Sequence, residues 1–336
     1  MRSCSLVAIP LLVVFACTCG SPPAKPEPAA PAPAPAAPAA APPPAAQLAP
    51  GERRIATSDG VQLYVKIAGR GPVCVFVHGG PGQDTLSFEQ MGGSALEAFL
   101  TMVYVDQRGS GKSPDAQNYS LERVVDDFED VRKGLGVDKI CLIAHSFGGL
   151  LAVGYARRYP EHLSELIMAN ATLHFRGPQQ RRMQAAFINQ LLDRKVAPLA
   201  PGADDATIAA AAEEAYRALM NSKVGYRVLT EDLATVQLMN RIESYPRSQG
   251  LGNAVIHERA AYPEYHTDHA AETAAIAHPV LVITSRKDYA VGPDEYKRFR
   301  FPDHKLAVLD TGHISYYDAN PAFVAAIRDF MAGRRQ

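Results

Sequence analysis

The chain has 336 residues, 47% of them hydrophobic, and a formal net charge of −1 at pH 7. This near neutrality shows no basic or acidic bias, so nothing in the composition indicates nucleic acid or an acidic surface as a partner. Beyond residue 20 the cysteines are Cys74 and Cys141. Both lie in apolar runs and are expected to be buried thiols, although an oxidising compartment would permit a disulfide. No C-x-x-C spacing is present, so we expect neither a metal nor a cofactor.

The first 20 residues have the pattern of an export signal. The apolar run at 6–16 follows Arg2 and is too short to span a bilayer, which predicts a signal peptide over residues 1–20. The stretch V-F-A-C ending at Cys17 resembles the cleavage box of bacterial lipoproteins, with Cys19 as the alternative lipidation site. We expect a periplasmic or cell-surface protein whose membrane contact is this lipid anchor; plain secretion is the alternative.

Residues 21–50 are almost entirely Ala and Pro. Such a tract cannot bury apolar surface and favours the extended polyproline conformation. At roughly 3 Å per residue it reaches about 90 Å when fully extended. We predict a disordered linker that holds the following domain away from a membrane surface; a tract without function is the alternative.

From residue 51 onward, short apolar runs alternate with helical patterns. The predicted strands are residues 55–57, 61–67, 72–77, 101–105, 139–143, 163–169, 279–284 and 305–309. The predicted helices include residues 87–100, 121–135, 150–159 and 321–332. This alternation is typical of an α/β protein with a mostly parallel eight-stranded sheet and helices on both faces.

One stretch, residues 171–277, differs from the rest because its strand signals vanish and helical patterns dominate. We therefore predict a first core segment at 51–170, an inserted helical cap at 171–277 and a second core segment at 278–336. Ligands of open α/β sheets bind outside the carboxyl ends of the strands. A cap at that edge covers the site.

The segment A-H-S-F-G-G at 144–149 follows a predicted strand and opens a predicted helix. A serine in such a sharp turn is exposed at the carboxyl end of the sheet, and the next backbone N–H faces the reacting carbonyl. Ser146 is therefore a candidate nucleophile and the Phe147 N–H a candidate oxyanion-hole donor. His145 is expected to be a packing residue.

Two other strand ends carry glycine-rich turns. H-G-G-P-G at 78–82 lets the backbone approach a substrate closely. Gly80, or alternatively Gly79, is the candidate second oxyanion-hole donor, and His78 is a candidate substrate contact. D-Q-R-G-S-G-K-S at 106–113 is expected to brace the site.

The last two strand ends offer an acid and a base. S-R-K-D ends at Asp288, and D-T-G-H-I contains His313. Ser146, Asp288 and His313 thus stand in the chain order of α/β-hydrolase triads. In such a triad the serine attacks, the histidine takes up and returns the proton, and the aspartate orients the imidazole.

Together, H-G-G-P-G, D-Q-R-G-S-G-K-S, the serine turn, S-R-K-D and G-H-I resemble the proline iminopeptidases among the α/β-hydrolases. The resemblance implies a cap glutamate that pairs with the substrate α-ammonium, and M-N-R-I-E-S-Y at 239–245 assigns this role to Glu243. The candidates for a second such glutamate are Glu213, Glu214, Glu264 and Glu272. The chain departs from the family pattern at Ala144 and Phe147, and it has no tryptophan.

These features predict a serine hydrolase that acts on a small peptide and releases an N-terminal proline or another small residue through an acyl-enzyme. The alternatives are a carboxylesterase or amidase that acts on small acyl substrates, and a surface binding module that has lost activity. His266 and His269 form a possible metal-binding pair, and the alternative is a solvated pair in a loop.

Overall fold

A computed structural model of the chain describes residues 48–333. The predicted signal peptide, Cys17, Cys19 and most of the predicted linker lie outside these residues. Within them, no helix has both the length and the apolar character needed to cross a membrane.

A mixed sheet forms the centre of the domain. Its strands are β1 (Gly51–Ala56), β2 (Gln62–Gly69), β3 (Val73–Val77), β4 (Thr101–Val105), β5 (Ile140–His145), β6 (Leu163–Ala169), β7 (Val280–Ser285) and β8 (His304–Leu309), in the spatial order β1-β2-β4-β3-β5-β6-β7-β8. The pairs β1–β2 and β2–β4 are antiparallel, and all other neighbours are parallel. The predicted eight-stranded, mostly parallel sheet is confirmed.

Helices cover both faces of this sheet. They are α1 (Leu86–Gln90), α2 (Leu121–Leu135), α3 (Gly148–Arg158), α4 (Pro178–Leu191), α5 (Asp205–Met220), α6 (Leu233–Ile242), α7 (Gly250–His257), α8 (Ser315–Asp318) and α9 (Asn320–Ala332). Alternate side chains of β3 point to opposite faces: Val75 and Val77 pack with α2 and α3, whereas Cys74 and Phe76 pack with α1 and α9. Each face therefore has its own apolar core.

One predicted helix takes a different form. The stretch 87–100 is not one helix but α1 followed by a 3-10 helix at Gly93–Ala98. Gly92 between them has φ +119°, a left-handed value that ends the first helix.

Cys74 and Cys141 are free, buried thiols that lie opposite each other on β3 and β5.

The segment between β6 and β7 contains α4 to α7. Pro178 occupies the first turn of α4, where its missing N–H costs nothing. Asp204 caps α5 by accepting a hydrogen bond from the Thr207 N–H at 2.7 Å. Helices α4 and α5 pack against each other through a small separate cluster of buried apolar side chains.

The charged turn after β4 braces the sheet. Its Arg108 side chain is fully buried and donates to both carboxylate oxygens of Asp127, at 2.7 and 2.6 Å, and to those of Asp59, at 2.8 and 2.9 Å. A buried guanidinium needs such complete pairing because an uncompensated buried charge is strongly destabilising. These contacts fix the turn that lies next to the H-G-G-P-G segment.

Candidate active site

Ser146 occupies the sharp turn between β5 and α3. Its φ of +56° is uncommon for a residue other than glycine. The surrounding backbone holds it there: its N–H donates to the Ala169 carbonyl at 3.3 Å, and its carbonyl accepts from the N–H groups of Gly149 and Thr172, both at 3.1 Å. Strained backbone of this kind is concentrated at functional sites, where the neighbouring structure maintains it.

The small residues around Ser146 are there for steric reasons. A Cβ atom on Gly79 would lie 2.7 Å from the Ser146 Cβ, and one on Gly148 would lie 2.2 Å from the Val77 carbonyl oxygen. Both distances are shorter than van der Waals contact. The glycine pattern therefore allows the turn after β3 to pack directly against the serine turn.

His313 and Asp288 meet beyond the ends of β8 and β7. The His313 Nδ1 lies 2.9 Å from the Asp288 Oδ2. Asp288 is fully buried, and its Oδ1 accepts from the N–H groups of Ala290 at 3.0 Å and Val291 at 3.1 Å. Because a carboxylate accepts hydrogen bonds, Nδ1 carries a proton, and in the neutral imidazole this tautomer has its lone pair on Nε2.

The pKa of the Asp288 carboxyl lies below its ordinary value. Burial raises this pKa, but the charge and hydrogen bond of His313, together with hydrogen bonds from Asn170 and Val291, lower it by more. Asp288 is therefore ionised at neutral pH. An ionised carboxylate stabilises the cation that forms when His313 accepts a proton.

Asn170, at the end of β6, is a site residue that the sequence analysis missed. Its side-chain amide donates to the Asp288 Oδ2 at 2.8 Å and to the Ser285 Oγ at 3.0 Å, and its Oδ1 accepts from the Ser315 Oγ at 2.6 Å. Its φ is +46°, a value that asparagine tolerates better than most residues. Its position directly after a parallel strand was the signal that could have identified it.

Asn170→Gly is expected to lower kcat about 10- to 100-fold, because a lost hydrogen bond to a charged group costs about 1.5–3 kcal/mol. Glycine adopts the positive φ without strain, but the buried Asn170 side chain also bonds Ser285 and Ser315, so a lower Tm is expected as well. Steady-state kinetics and thermal melting of the variant separate the two effects. A kcat within about twofold of the wild type would show that the amide does not support Asp288.

His145 holds the backbone of His313. The His145 Nε2 donates to the His313 carbonyl at 3.1 Å, and the two rings lie 4.6 Å apart between centroids. Burial, and then the nearby charge of His313, lower the pKa of His145 to about 3. The ring is therefore neutral at pH 7 and takes no part as a second base, in line with its expected packing role.

The predicted oxyanion-hole residues lie around Ser146. Gly80 lines the same cavity as Ser146, and its φ of +118° is accessible mainly to glycine. Phe147 is the N-cap of α3, and N–H groups at a helix start have no partner within the helix. Its ring is buried against Phe175 and Tyr265, with centroid distances of 5.4 Å to each. Gly79 packs on Ser146 itself.

His78, predicted as a substrate contact, instead joins two turns. Its Nε2 accepts from the Gln107 N–H at 3.0 Å, its Nδ1 donates to the Gly79 carbonyl at 3.0 Å, and the ring is buried. Burial lowers the pKa of His78, which keeps the ring neutral. It lies outside the set of residues that line the cavity. With both nitrogens engaged, His78 supports the loop and the substrate-contact prediction is corrected.

Glu243 also lies outside the set of cavity-lining residues. Its carboxylate pairs with Arg247 at 3.1 Å, and Arg247 pairs in turn with the buried carboxylate of Asp84 at 2.9 Å. Burial raises the pKa of Glu243, although the Arg247 charge opposes this. Arg247 is thus shared by two carboxylates, so the predicted ammonium-binding carboxylate is paired with a cation of the protein but is not fully neutralised by it.

The four alternative glutamates are dispersed. Glu214 pairs with Arg194, Glu264 accepts from the Leu121 N–H at 3.1 Å, and Glu272 pairs with Arg157 and with His269. Glu213 alone among the four lines the cavity.

The histidine pair considered as a metal site is also engaged elsewhere. The His266 Nε2 lies 2.9 Å from the Val255 carbonyl oxygen, and the His269 Nε2 lies 2.8 Å from that of Glu264. Across residues 48–333, no group of three or more His, Cys, Asp or Glu side chains is arranged to hold a metal.

Ser146 and His313 line one cavity of about 690 Å³, whose walls also include residues of α4 to α7. Most of its wall is apolar, formed by residues such as Phe175, Leu219, Val228, Met239 and Ile256. Its charged lining residues are Arg176, Arg181 and Glu213. An apolar pocket with a few polar groups at one end is typical of small-molecule sites.

Comparisons with known proteins agree with this architecture. The alpha/beta hydrolase fold family matches residues 72–320. Epoxide hydrolase 1 of Caenorhabditis elegans is 37% identical over 105 residues, which cover 30% of this chain and 25% of that protein. A proline iminopeptidase of Lactobacillus delbrueckii subsp. bulgaricus is 36% identical over 119 residues, which cover 32% of this chain and 40% of that protein.

The chain therefore spans between 25% and 40% of the length of these two curated relatives. The structure of a proline iminopeptidase-related protein from Thermus thermophilus matches with a TM-score of 0.67 at 22% identity, covering 84% of this chain and 98% of that one. At this identity the likeness shows the fold alone, whereas the family match extends over most of the chain. The chain belongs to the α/β-hydrolase fold family.

Proposed function

We propose that the chain is a serine hydrolase that cleaves small acyl esters or amides through an acyl-enzyme. The observation that carries this proposal is the pairing of His313 with the buried Asp288, on the cavity that Ser146 also lines. A serine hydroxyl is a weak nucleophile at neutral pH unless a base removes its proton. His313, with Nδ1 held by Asp288, has a free Nε2 for this purpose.

In the first half-reaction the Ser146 Oγ attacks the substrate carbonyl carbon while its proton passes to the His313 Nε2. The N–H groups of Phe147 and Gly80 stabilise the negative charge that develops on the carbonyl oxygen. The imidazolium then protonates the leaving group, and the C–O or C–N bond breaks. Water, deprotonated by His313, releases the acyl group in the second half-reaction and restores the serine.

The pairing of Glu243 supports one substrate class over the other. Recognition of a peptide N-terminus needs an uncompensated carboxylate facing the cavity, because such a carboxylate discriminates for a cationic amine. Glu243 is instead paired with Arg247 and lies outside the cavity lining. We therefore place ester or amide hydrolysis of small acyl substrates first. Aminopeptidase activity is the second candidate, favoured by the motif resemblance and the proline iminopeptidase relatives.

A substrate panel on the purified protein tests this choice: p-nitrophenyl esters against proline and alanine naphthylamides. Esters are expected to be turned over, and Glu243→Gln is expected to change ester and naphthylamide turnover alike, by less than about threefold. A loss confined to the aminoacyl naphthylamides would instead support the aminopeptidase. Glu214→Gln, which alters a carboxylate paired on the cap surface, is the matched control.

A further inference from the structure

The cap side of the cavity carries two arginines that the proposed hydrolytic steps do not use. Arg176 precedes α4, and Arg181 lies near the start of that helix. Both line the cavity that contains Ser146 and His313. A third arginine, Arg259, lies close enough after α7 to affect Arg181 electrostatically.

Neither of the two lining arginines has a carboxylate partner. Within residues 48–333, no carboxylate lies at ion-pairing distance from the guanidinium of Arg176 or of Arg181. Arg176 rests on the Phe175 ring, 5.6 Å from its centroid, which leaves its N–H donors available. Two neighbouring cap arginines behave differently: Arg182 donates to backbone carbonyls and Arg194 pairs with Glu214.

The arrangement concentrates like charge. Burial lowers the pKa of Arg181, and the positive charges of Arg259 and Arg176 lower it further, against smaller opposing effects of Glu213 and Asp205. The positive end of the α4 dipole adds to this field, and the first turn of α4 contains no acidic residue. Arg181 is half-buried and Arg176 is exposed, so solvent screens part of this repulsion, and a bound anion reduces it further.

Glu213 is the one carboxylate among the described residues that line the cavity, so two guanidinium charges face one carboxylate there. The net positive charge favours an anion and disfavours a cationic amine. Guanidinium groups also present forked donors that match the two oxygens of a carboxylate.

We propose that the substrate carries a carboxylate on the part of the molecule that reaches the cap, where Arg181 and Arg176 bind it. The scissile acyl carbon then lies at Ser146, and the apolar wall between holds the connecting carbon chain. The substrate class is thus an ester or amide with an anionic end. This inference rests on the proposed role of Ser146 for its orientation, but the charge preference of the cavity is independent of that role.

The test uses three p-nitrophenyl esters of similar acyl length: the monoester of adipic acid, which is anionic, the neutral heptanoate and the cationic 6-aminohexanoate. For the wild type, kcat/KM for the anionic ester is expected to exceed that for the cationic ester about 100-fold, as two favourable charge contacts at about tenfold each imply. In the double variant Arg176→Gln/Arg181→Gln, kcat/KM for the anionic ester is expected to exceed that for the cationic ester by no more than about fivefold. Turnover of the neutral heptanoate is expected to change by less than about threefold.

Arg217→Gln is the matched control, because Arg217 is an exposed arginine of α5 that lies outside the cavity lining. It should leave the ratio unchanged. Added salt should reduce the wild-type ratio, because salt screens partly exposed charges. Thermal melting verifies that the double variant is folded. If it is not folded, the single variant Arg181→Gln is used instead. In that variant the ratio of kcat/KM for the anionic ester to that for the cationic ester is expected to drop about tenfold.

Two results would overturn the inference: a wild-type enzyme that prefers or equally accepts the cationic ester, or a folded double variant with an unchanged ratio. If the wild type hydrolyses none of the esters, the proposed function fails, and binding decides the inference. Calorimetry on Ser146→Ala should then show binding of adipate and no binding of 1,6-diaminohexane. Absence of adipate binding, or binding that survives the loss of both arginines, would contradict it.

Discussion

Ser146→Ala is expected to lower kcat for p-nitrophenyl esters by at least about 10⁴-fold, because methyl cannot form the acyl-enzyme and only the oxyanion hole and binding remain. The variant should fold normally, since the φ of +56° at this position is imposed by the surrounding hydrogen bonds and not by the hydroxyl. Steady-state kinetics with a thermal melt of each preparation provide the measurement.

Ser58→Ala is the matched control for this change. Ser58 is an exposed serine in the turn between β1 and β2, where its hydroxyl contacts Asp130. Its loss should leave kcat within about twofold of the wild type. Comparable losses in both variants, or residual kcat in Ser146→Ala above a tenth of the wild type, would remove Ser146 from the nucleophile's role.

Asp288→Asn is expected to lower kcat by about 10⁴-fold, because the asparagine amide favours the wrong tautomer of His313 and cannot stabilise its cation. KM should change little, since Asp288 is fully buried behind His313. Asp310→Asn, an exposed aspartate in the turn after β8, serves as the control and should retain full activity. Equal kcat for the two variants would contradict the assigned pairing.

The lowered pKa of Asp288 also makes a prediction about stability. A carboxyl whose pKa is lower in the folded state stabilises the fold above its unfolded-state pKa, and this contribution is lost as the pH falls through the folded-state pKa. The difference in unfolding free energy between wild type and Asp288→Asn should therefore shrink from pH 7 to about pH 3. Urea unfolding of both proteins at the two pH values measures this difference. A difference in unfolding free energy that is larger at the lower pH would contradict a lowered pKa of Asp288.

The sequence was sufficient to predict site residues that directly follow a predicted strand. Parallel strands end at one edge of the sheet, so residues directly after predicted strands converge there. This rule placed Ser146 and His313 on one cavity and brought Asp288 to His313. Asn170 obeys the same rule but was not recognised as a site residue, because its amide contacts depend on two other segments.

Pairing between distant segments was the main source of error. The i,i+4 spacing of Glu243 and Arg247 is visible in the sequence, yet the contact between Arg247 and Asp84 that fixes the pair depends on the folded position of a loop. Similarly, the apolar strands that precede the two turns did not indicate that the Gln107 N–H would donate a hydrogen bond to the His78 ring. Arg176 and Arg181 lie in a loop and in a helix turn that carry no motif, so the structure was needed to bring them to the cavity.

The amino-terminal predictions concern residues that the structure does not describe. The signal peptide over residues 1–20, the lipid anchor at Cys17 or Cys19 and the linker over 21–50 remain predictions from composition and motif. They bear on where the hydrolase works and leave the chemistry of Ser146 unchanged.

Covalent labelling tests the nucleophile directly. A fluorophosphonate probe should add its mass to the intact protein once, and peptide mapping should place the adduct on Ser146, with labelling strongly slowed in His313→Ala. An unlabelled protein, an adduct on another residue, or labelling at an unchanged rate without His313 would contradict the proposed catalytic serine and its base.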